Sequence, residues 1–112
     1  ACAAKDNNGS TPLHWACDKG ASENVVRLLI NMGGGKEACE AKNDKGQTPL
    51  HYACGTGATQ DVVRLLIVRG GGKKACEAKD NSGRTPLNCA CGTGASQDVV
   101  HLLIDRGGGK KA

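Results

Sequence analysis

Apolar residues in this chain fall at helical spacing, in short blocks separated by turn-forming residues. Leu13, Ala16 and Cys17 repeat at i, i+3 and i+4, which is one face of a helix. Val25, Val26, Leu28, Leu29 and Ile30 form a denser block that needs packing on two sides. Asp6-Asn7-Asn8-Gly9-Ser10 ahead of them is turn chemistry, with a glycine suited to positive φ. Thr11 then predicts an N-cap and Pro12 the first helical position, where proline loses no hydrogen bond. This first helix is predicted to stop near Gly20. Ser22 predicts the cap of a second helix, with Glu23 in its first turn, where the dipole favours an anion. Gly33 is predicted to end it in the C′ position. Gly34, Gly35 and Lys36 read as a flexible connection, and Ala38 to Lys42 as an extended lead into the next turn.

The same pattern occurs three times with a period of 37 residues. ACAAKDNNGSTPLHWAC begins at Ala1, ACEAKNDKGQTPLHYAC at Ala38 and ACEAKDNSGRTPLNCAC at Ala75. VVRLLI, VVRLLI and VVHLLI follow at Val25, Val62 and Val99, then GGGK at Gly33, Gly70 and Gly107. The expected organisation is one repeat domain over residues 1–112, with units 1–37, 38–74 and 75–111. One such helix pair cannot bury both faces of VVRLLI, but stacked neighbours can.

These residues resemble the ankyrin repeat. Its pattern reads approximately D-x-x-G-x-T-P-L-H-x-A-A-x-x-G, then V-V-x-L-L-L-x-x-G. Asp6 to Gly20, Asn43 to Gly57 and Asp80 to Gly94 follow the first part closely. The resemblance implies an all-α, ankyrin-like solenoid of stacked helix-turn-helix units with β-turn-like connecting loops. It also implies a non-catalytic scaffold that binds another protein. Three departures stand out. The period is 37 rather than about 33, and the extra residues are expected in the inter-helix loop and in the glycine-lysine connection. Cysteine replaces the second alanine at Cys17, Cys54 and Cys91, and Asn88 replaces the histidine in the third unit.

Composition narrows the picture only slightly. A net charge of +4 suits acidic protein surfaces but is too small to imply nucleic acid. No apolar run approaches the ~20 residues of a membrane span, and no secretion signal is recognisable. Seven cysteines would suggest disulfides in a secreted protein, but six of them occupy two repeat positions. Equivalent residues on stacked helices lie about 8–10 Å apart, beyond the roughly 7 Å between Cα atoms that a disulfide tolerates. Free thiols and a reducing, cytoplasmic setting are therefore expected.

Candidate chemistry is sparse. His14 with Cys17, and His51 with Cys54, share a helix face as two zinc ligands would, but two ligands per helix are not four. An asparagine at position 88 is a poor ligand yet can copy a hydrogen bond, which favours a structural role for the histidines and no metal. Cys89, standing where Trp15 and Tyr52 stand elsewhere, is expected to be the most accessible thiol. No base is spaced to activate it. GGGKE and GGGKK lack the P-loop spacing and the Ser or Thr after lysine. No cofactor is expected. Trp15 and Tyr52 are the only aromatics, and packing is favoured over binding for both.

A surface remains. Where the units agree, stacking explains the agreement; where they differ, the fold is indifferent. The differences are Asn7, Asn8 and Ser10 against Asp44, Lys45 and Gln47, and against Asn81, Ser82 and Arg84. They continue at Asp18 and Lys19 against Gly55-Thr56 and Gly92-Thr93. In ankyrin-like proteins the turns and first-helix surface line a concave groove for a protein partner. Lys5, Lys42 and Lys79 would add a basic ladder along it. The alternative is solvated turn residues with no partner. Polar Asn31 and Asp105, against Val68 in the middle unit, hint at capping of the outer units. Otherwise the outer units keep their apolar helices, so end-to-end self-association is expected through exposed Leu and Val. Whole units excised from a longer array, or a designed module without a native partner, is the competing reading. A thiol-based metal or redox protein is a third, disfavoured one.

Overall fold

The computed structural model describes residues 5–56, 59–94 and 97–106. Cys2, the third GGGK at Gly107 and the side chain of Thr93 lie outside the described residues. Eight helices are present among those described: α1 (Pro12–Lys19), α2 (Glu23–Met32), α3 (Lys36–Glu40), α4 (Pro49–Thr56), α5 (Gln60–Arg69), α6 (Lys73–Glu77), α7 (Pro86–Thr93) and α8 (Gln97–Arg106).

The expected starts and stops are found. Thr11 is extended and caps α1, Pro12 occupies its first turn, and Gly20 closes it in the left-handed conformation at φ 75°. Ser22 caps α2 through the Val25 N–H. Thr59 does the same for α5 through Val62. The first helices form one row, α1 on α4 on α7, and the second helices form another, α2 on α5 on α8. The core between the rows is repeated unit by unit: Leu13, Cys17, Val26 and Ile30, then Leu50, Cys54, Val63 and Ile67. The resulting stack measures 41 × 29 × 23 Å.

The connection after each second helix differs from expectation. Instead of a flexible glycine-lysine link and an extended Ala38–Lys42, residues Lys36–Glu40 form α3, and Lys73–Glu77 form α6. Apart from the cysteine, KEACE and KKACE are made of good helix formers, and ion pairs Lys36–Glu40 and Lys73–Glu77 close each at 3.7 Å. The backbone becomes extended only at Ala41 and Ala78. Gly33 keeps a negative φ, and the reversal falls instead on Gly35, at φ 68° and ψ −115°, a conformation that a Cβ would strain. The added residues of the 37-residue period thus build a third helix. It packs on α2 behind it and on α4 and α5 ahead of it, burying Ala38 and Cys39.

The polar residues at 31 and 105 do not mark caps. Asn31, Val68 and Asp105 are all exposed, Val68 by 56 %. That position faces outward in every unit, so its polarity says nothing about the ends.

Candidate protein-binding surface

Each turn is held from within. In the first, Asp6 accepts backbone N–H bonds from Asn8 and Ser10 at 2.8 and 2.9 Å. Asn43 and Asp80 repeat the arrangement at Lys45 and Gln47, and at Ser82 and Arg84. The Ser10 N–H bond first, then that of Trp15, holds the Asp6 carboxyl below its usual range. At Asp80 the Arg84 N–H has the leading part. The turns are also tied to each other. The Asn8 carbonyl accepts the Asp44 N–H, and the Lys45 carbonyl accepts the Asn81 N–H, both at 2.9 Å. At Gly46, φ is 76° and a Cβ would stand 2.9 Å from the Asn81 nitrogen, so the turns approach as closely as glycine allows.

The histidines join turn to helix and unit to unit. The Thr48 N–H donates to His51 Nδ1 at 3.1 Å, so Nε2 carries the ring hydrogen and donates to the Arg84 carbonyl, 2.9 Å away. His14 does the same between Thr11 and Gln47, at 3.0 and 2.8 Å. Burial pushes both imidazoles below their ordinary pKa, opposed by the bonds to Gln47 and Arg84. Asn88 keeps only the local half: its Oδ1 accepts from Thr85 N and Oγ1 at 2.9 and 3.0 Å. The histidines are structural, as the asparagine suggests.

Upon this frame sits a cleft of about 340 Å³ between the first two units, lined by Trp15, Asp18, Gln47, Tyr52, Gly55 and Thr56. Trp15 is 48 % exposed, with its indole N–H held by Asp6 at 2.8 Å and the Lys19 ammonium 5.8 Å from its ring. Tyr52 is half-buried. Its hydroxyl accepts from Asn43 at 2.8 Å, and its ring meets His14 edge-on. The indole is thus presented rather than packed, contrary to the preference drawn from sequence. The available signal was variability: Trp15, Tyr52 and Cys89 share one position that stacking does not constrain.

The other sequence-derived residues divide. Asp18, Gln47 and Thr56 join this cleft. Thr56 Oγ1 lies 3.1 Å from the Cys17 carbonyl, so this hydroxyl also bridges the units. Asn7, Asn8, Asp44, Lys45, Asn81, Ser82 and Arg84 are exposed on the turns, where Asn81 donates to the Asp44 carbonyl and Arg84 pairs with Asp80. Ser10 is only 6 % exposed; its place at the turn's base leaves little for a partner. The lysines are exposed, and Lys5 Nζ reaches the Lys42 carbonyl at 3.4 Å. Lys42 and Lys79 line two other clefts, however, and neither borders the one holding Trp15.

The thiols are poor candidates for chemistry. None of the six described cysteines is in a disulfide. Burial pushes Cys17 and Cys54 up to about 12 and Cys39 and Cys76 up to about 11. A thiol so raised is neither a ready nucleophile nor a ready metal ligand. Cys89 is half-buried and also raised by burial, whereas Cys91 is exposed. The expectation that Cys89 is the most accessible thiol is therefore corrected: Cys91 is exposed, although it holds the position in its unit at which Cys17 and Cys54 are buried. Among the described residues, no group of His, Cys, Asp and Glu could hold a metal ion, and no helix is long and apolar enough to cross a membrane.

A stack of turn-linked helical units presenting a variable cleft is a repeat scaffold, and sequence comparison supplies its family. The description of ankyrin repeats in three copies matches residues 32–111, and that of a single ankyrin repeat matches residues 8–44. The chain belongs to the ankyrin repeat family, whose members are generally protein–protein interaction modules and typically not enzymes. No curated protein is matched by the chain.

Proposed function

We propose that this chain is a non-catalytic scaffold that binds a protein partner across the turns and first helices, with Trp15 as the central contact. The observation that carries this reading is the 48 % exposed indole, fixed by Asp6 and bordered by a cleft. A large side chain already immobilised loses little freedom on binding, and tryptophan is over-represented among residues that dominate interfaces. Lys19 beside the ring, with Lys45 and Arg84 on the turns, favours acidic groups on the partner. A reducing, cytoplasmic setting belongs to the same proposal, on the ground that cysteines repeated at equivalent positions of stacked helices lie too far apart for disulfides.

Trp15 is the only tryptophan, so its emission reports the cleft directly. A partner recovered by cross-linking should shift that emission on titration. Changing Lys42, Lys45, Gln47 and Arg84 together should weaken its capture. Unchanged emission together with unchanged capture would move the binding surface elsewhere.

A further inference from the structure

The short helices α3 and α6 enclose a second recess, remote in its lining from the Trp15 cleft. It has a volume of about 230 Å³ and a mostly apolar lining. Its floor is Cys39 of α3, Leu50 of α4, Gly70 at the end of α5, Ala75 of α6 and Ala78 just beyond. Cys39 and Leu50 are buried, while the two alanines are half-buried. Gly70 has no room for a side chain: a Cβ there would stand 3.1 Å from that of Cys39 and 3.3 Å from that of Ala75. Glycine thus lets both short helices close on the end of α5. The alanines facing the recess are too short to fill it, so the space persists between two units that are both present.

The rim is charged. Lys42 and Lys74 border the recess from successive units, and both are exposed. Among the described residues neither takes part in an ion pair. Glu40 also borders it, but its carboxylate pairs with Lys36 one turn back, at 3.7 Å. Thr48, the remaining polar neighbour, has its hydroxyl 2.9 Å from His51 Nδ1. Two ammonium groups over an apolar floor therefore set the character of the recess. The pairing is particular to this joint: 37 residues earlier, Lys42 corresponds to Lys5 but Lys74 to Glu37.

We infer that this recess binds a small carboxylate with an apolar body. The body lies on Cys39, Leu50, Ala75 and Ala78, and the carboxylate meets the Lys42 and Lys74 ammonium groups. A cavity of roughly 150 Å³ accepts benzene, so this one holds a ring or a chain of about six to eight carbons. Inorganic phosphate would leave the floor uncovered, and an uncharged hydrocarbon would leave both lysines without a partner. The long lysine stems can lie along the apolar wall while their charged ends stay in water beside the ligand. This proposal is independent of the Trp15 reading.

Octanoate, kept below its micellar range, is the probe. Nitrogen–proton correlation spectra of the full chain should show saturable shifts at the amides of Cys39, Gly70, Ala75 and Ala78. Lys42→Gln with Lys74→Gln, two exposed changes, should weaken the binding by about 3- to 10-fold. Ala78→Leu, checked for retained helicity, should abolish it by filling the space. Octylamine, with the same chain and the opposite charge, should give no saturable shift at these amides. Absence of saturable octanoate shifts there overturns the proposal. So does undiminished affinity in either variant, or octylamine binding as well as octanoate.

Discussion

His51 carries two separable jobs, and replacing it in two ways distinguishes them. His51→Ala removes the acceptor for the Thr48 N–H, which sits on a residue only 4 % exposed, together with the bond to the Arg84 carbonyl. A buried N–H left without a partner costs about 1–3 kcal/mol, and a lost hydrogen bond about 1 kcal/mol. The Arg84 carbonyl keeps the Asp80 N–H at 2.9 Å, so it is not orphaned. With the space vacated by a ring that is 2 % exposed, the total comes to about 3–5 kcal/mol. His51→Asn should restore the local cap as Asn88 does at Thr85, at 2.9 and 3.0 Å, leaving only the bond between units broken. That costs about 1–2 kcal/mol. Urea unfolding followed by circular dichroism at slightly alkaline pH measures both. Equal losses for the two variants would show that asparagine does not replace the cap. Losses below about 0.5 kcal/mol for both would refute the claim that histidine ties turn to helix and unit to unit.

Three further outcomes are expected. Because burial lowers the pKa of His14 and His51, the unfolded chain binds more protons just below the ordinary value of 6.5; their stabilisation is present above that value and is lost as the pH falls through the lowered folded values. Urea midpoints should therefore drop on mild acidification, and His14→Asn with His51→Asn should flatten that slope; an unchanged slope counts against it. In a Cys2→Ser background, a thiol reagent should modify Cys91 quickly and Cys17 and Cys54 only on unfolding, since the former is exposed and the latter are each 1 % exposed; mass mapping that finds Cys17 among the fast sites would contradict the packing. Gly46→Ala should destabilise by about 1–3 kcal/mol through its φ and the nearby turn, whereas Gly55→Ala, inside α4 with open space at its Cβ, should stabilise by about 0.5–1 kcal/mol; equal effects measured by urea unfolding would deny the difference in backbone conformation.

Much of the architecture is legible because local signals and the repeat agree. Thr11-Pro12, Gly20 and Ser22 state their helix boundaries in side-chain chemistry, and the period states that the units stack. The third helix of each connection was harder to see. Glycines before KEACE and KKACE read as flexibility, yet Gly35 serves as a tight reversal that lets five residues form a helix against the next unit. The candidate site was legible only in part. Variation between units pointed to the turns and to Asp18, Gln47 and Thr56. It did not show that Ser10 is covered, because burial depends on how the turn folds back on α1. Trp15 was missed because apolar character suggests packing, and only the stack decides which apolar residues face outward. The exposure of Cys91 was missed in the same way: its position in its unit equals that of Cys17, yet Cys91 is exposed and Cys17 buried.

The central claim is that the outward-facing cleft, and not the outer helix row, meets a protein partner. Its most direct test is the affinity of a partner recovered by cross-linking for Trp15→Ala and for Arg64→Ala, the latter an exposed change on α5. The account predicts a loss of about 10- to 100-fold for Trp15→Ala and essentially none for Arg64→Ala. An unchanged affinity for Trp15→Ala with a large loss for Arg64→Ala would contradict it.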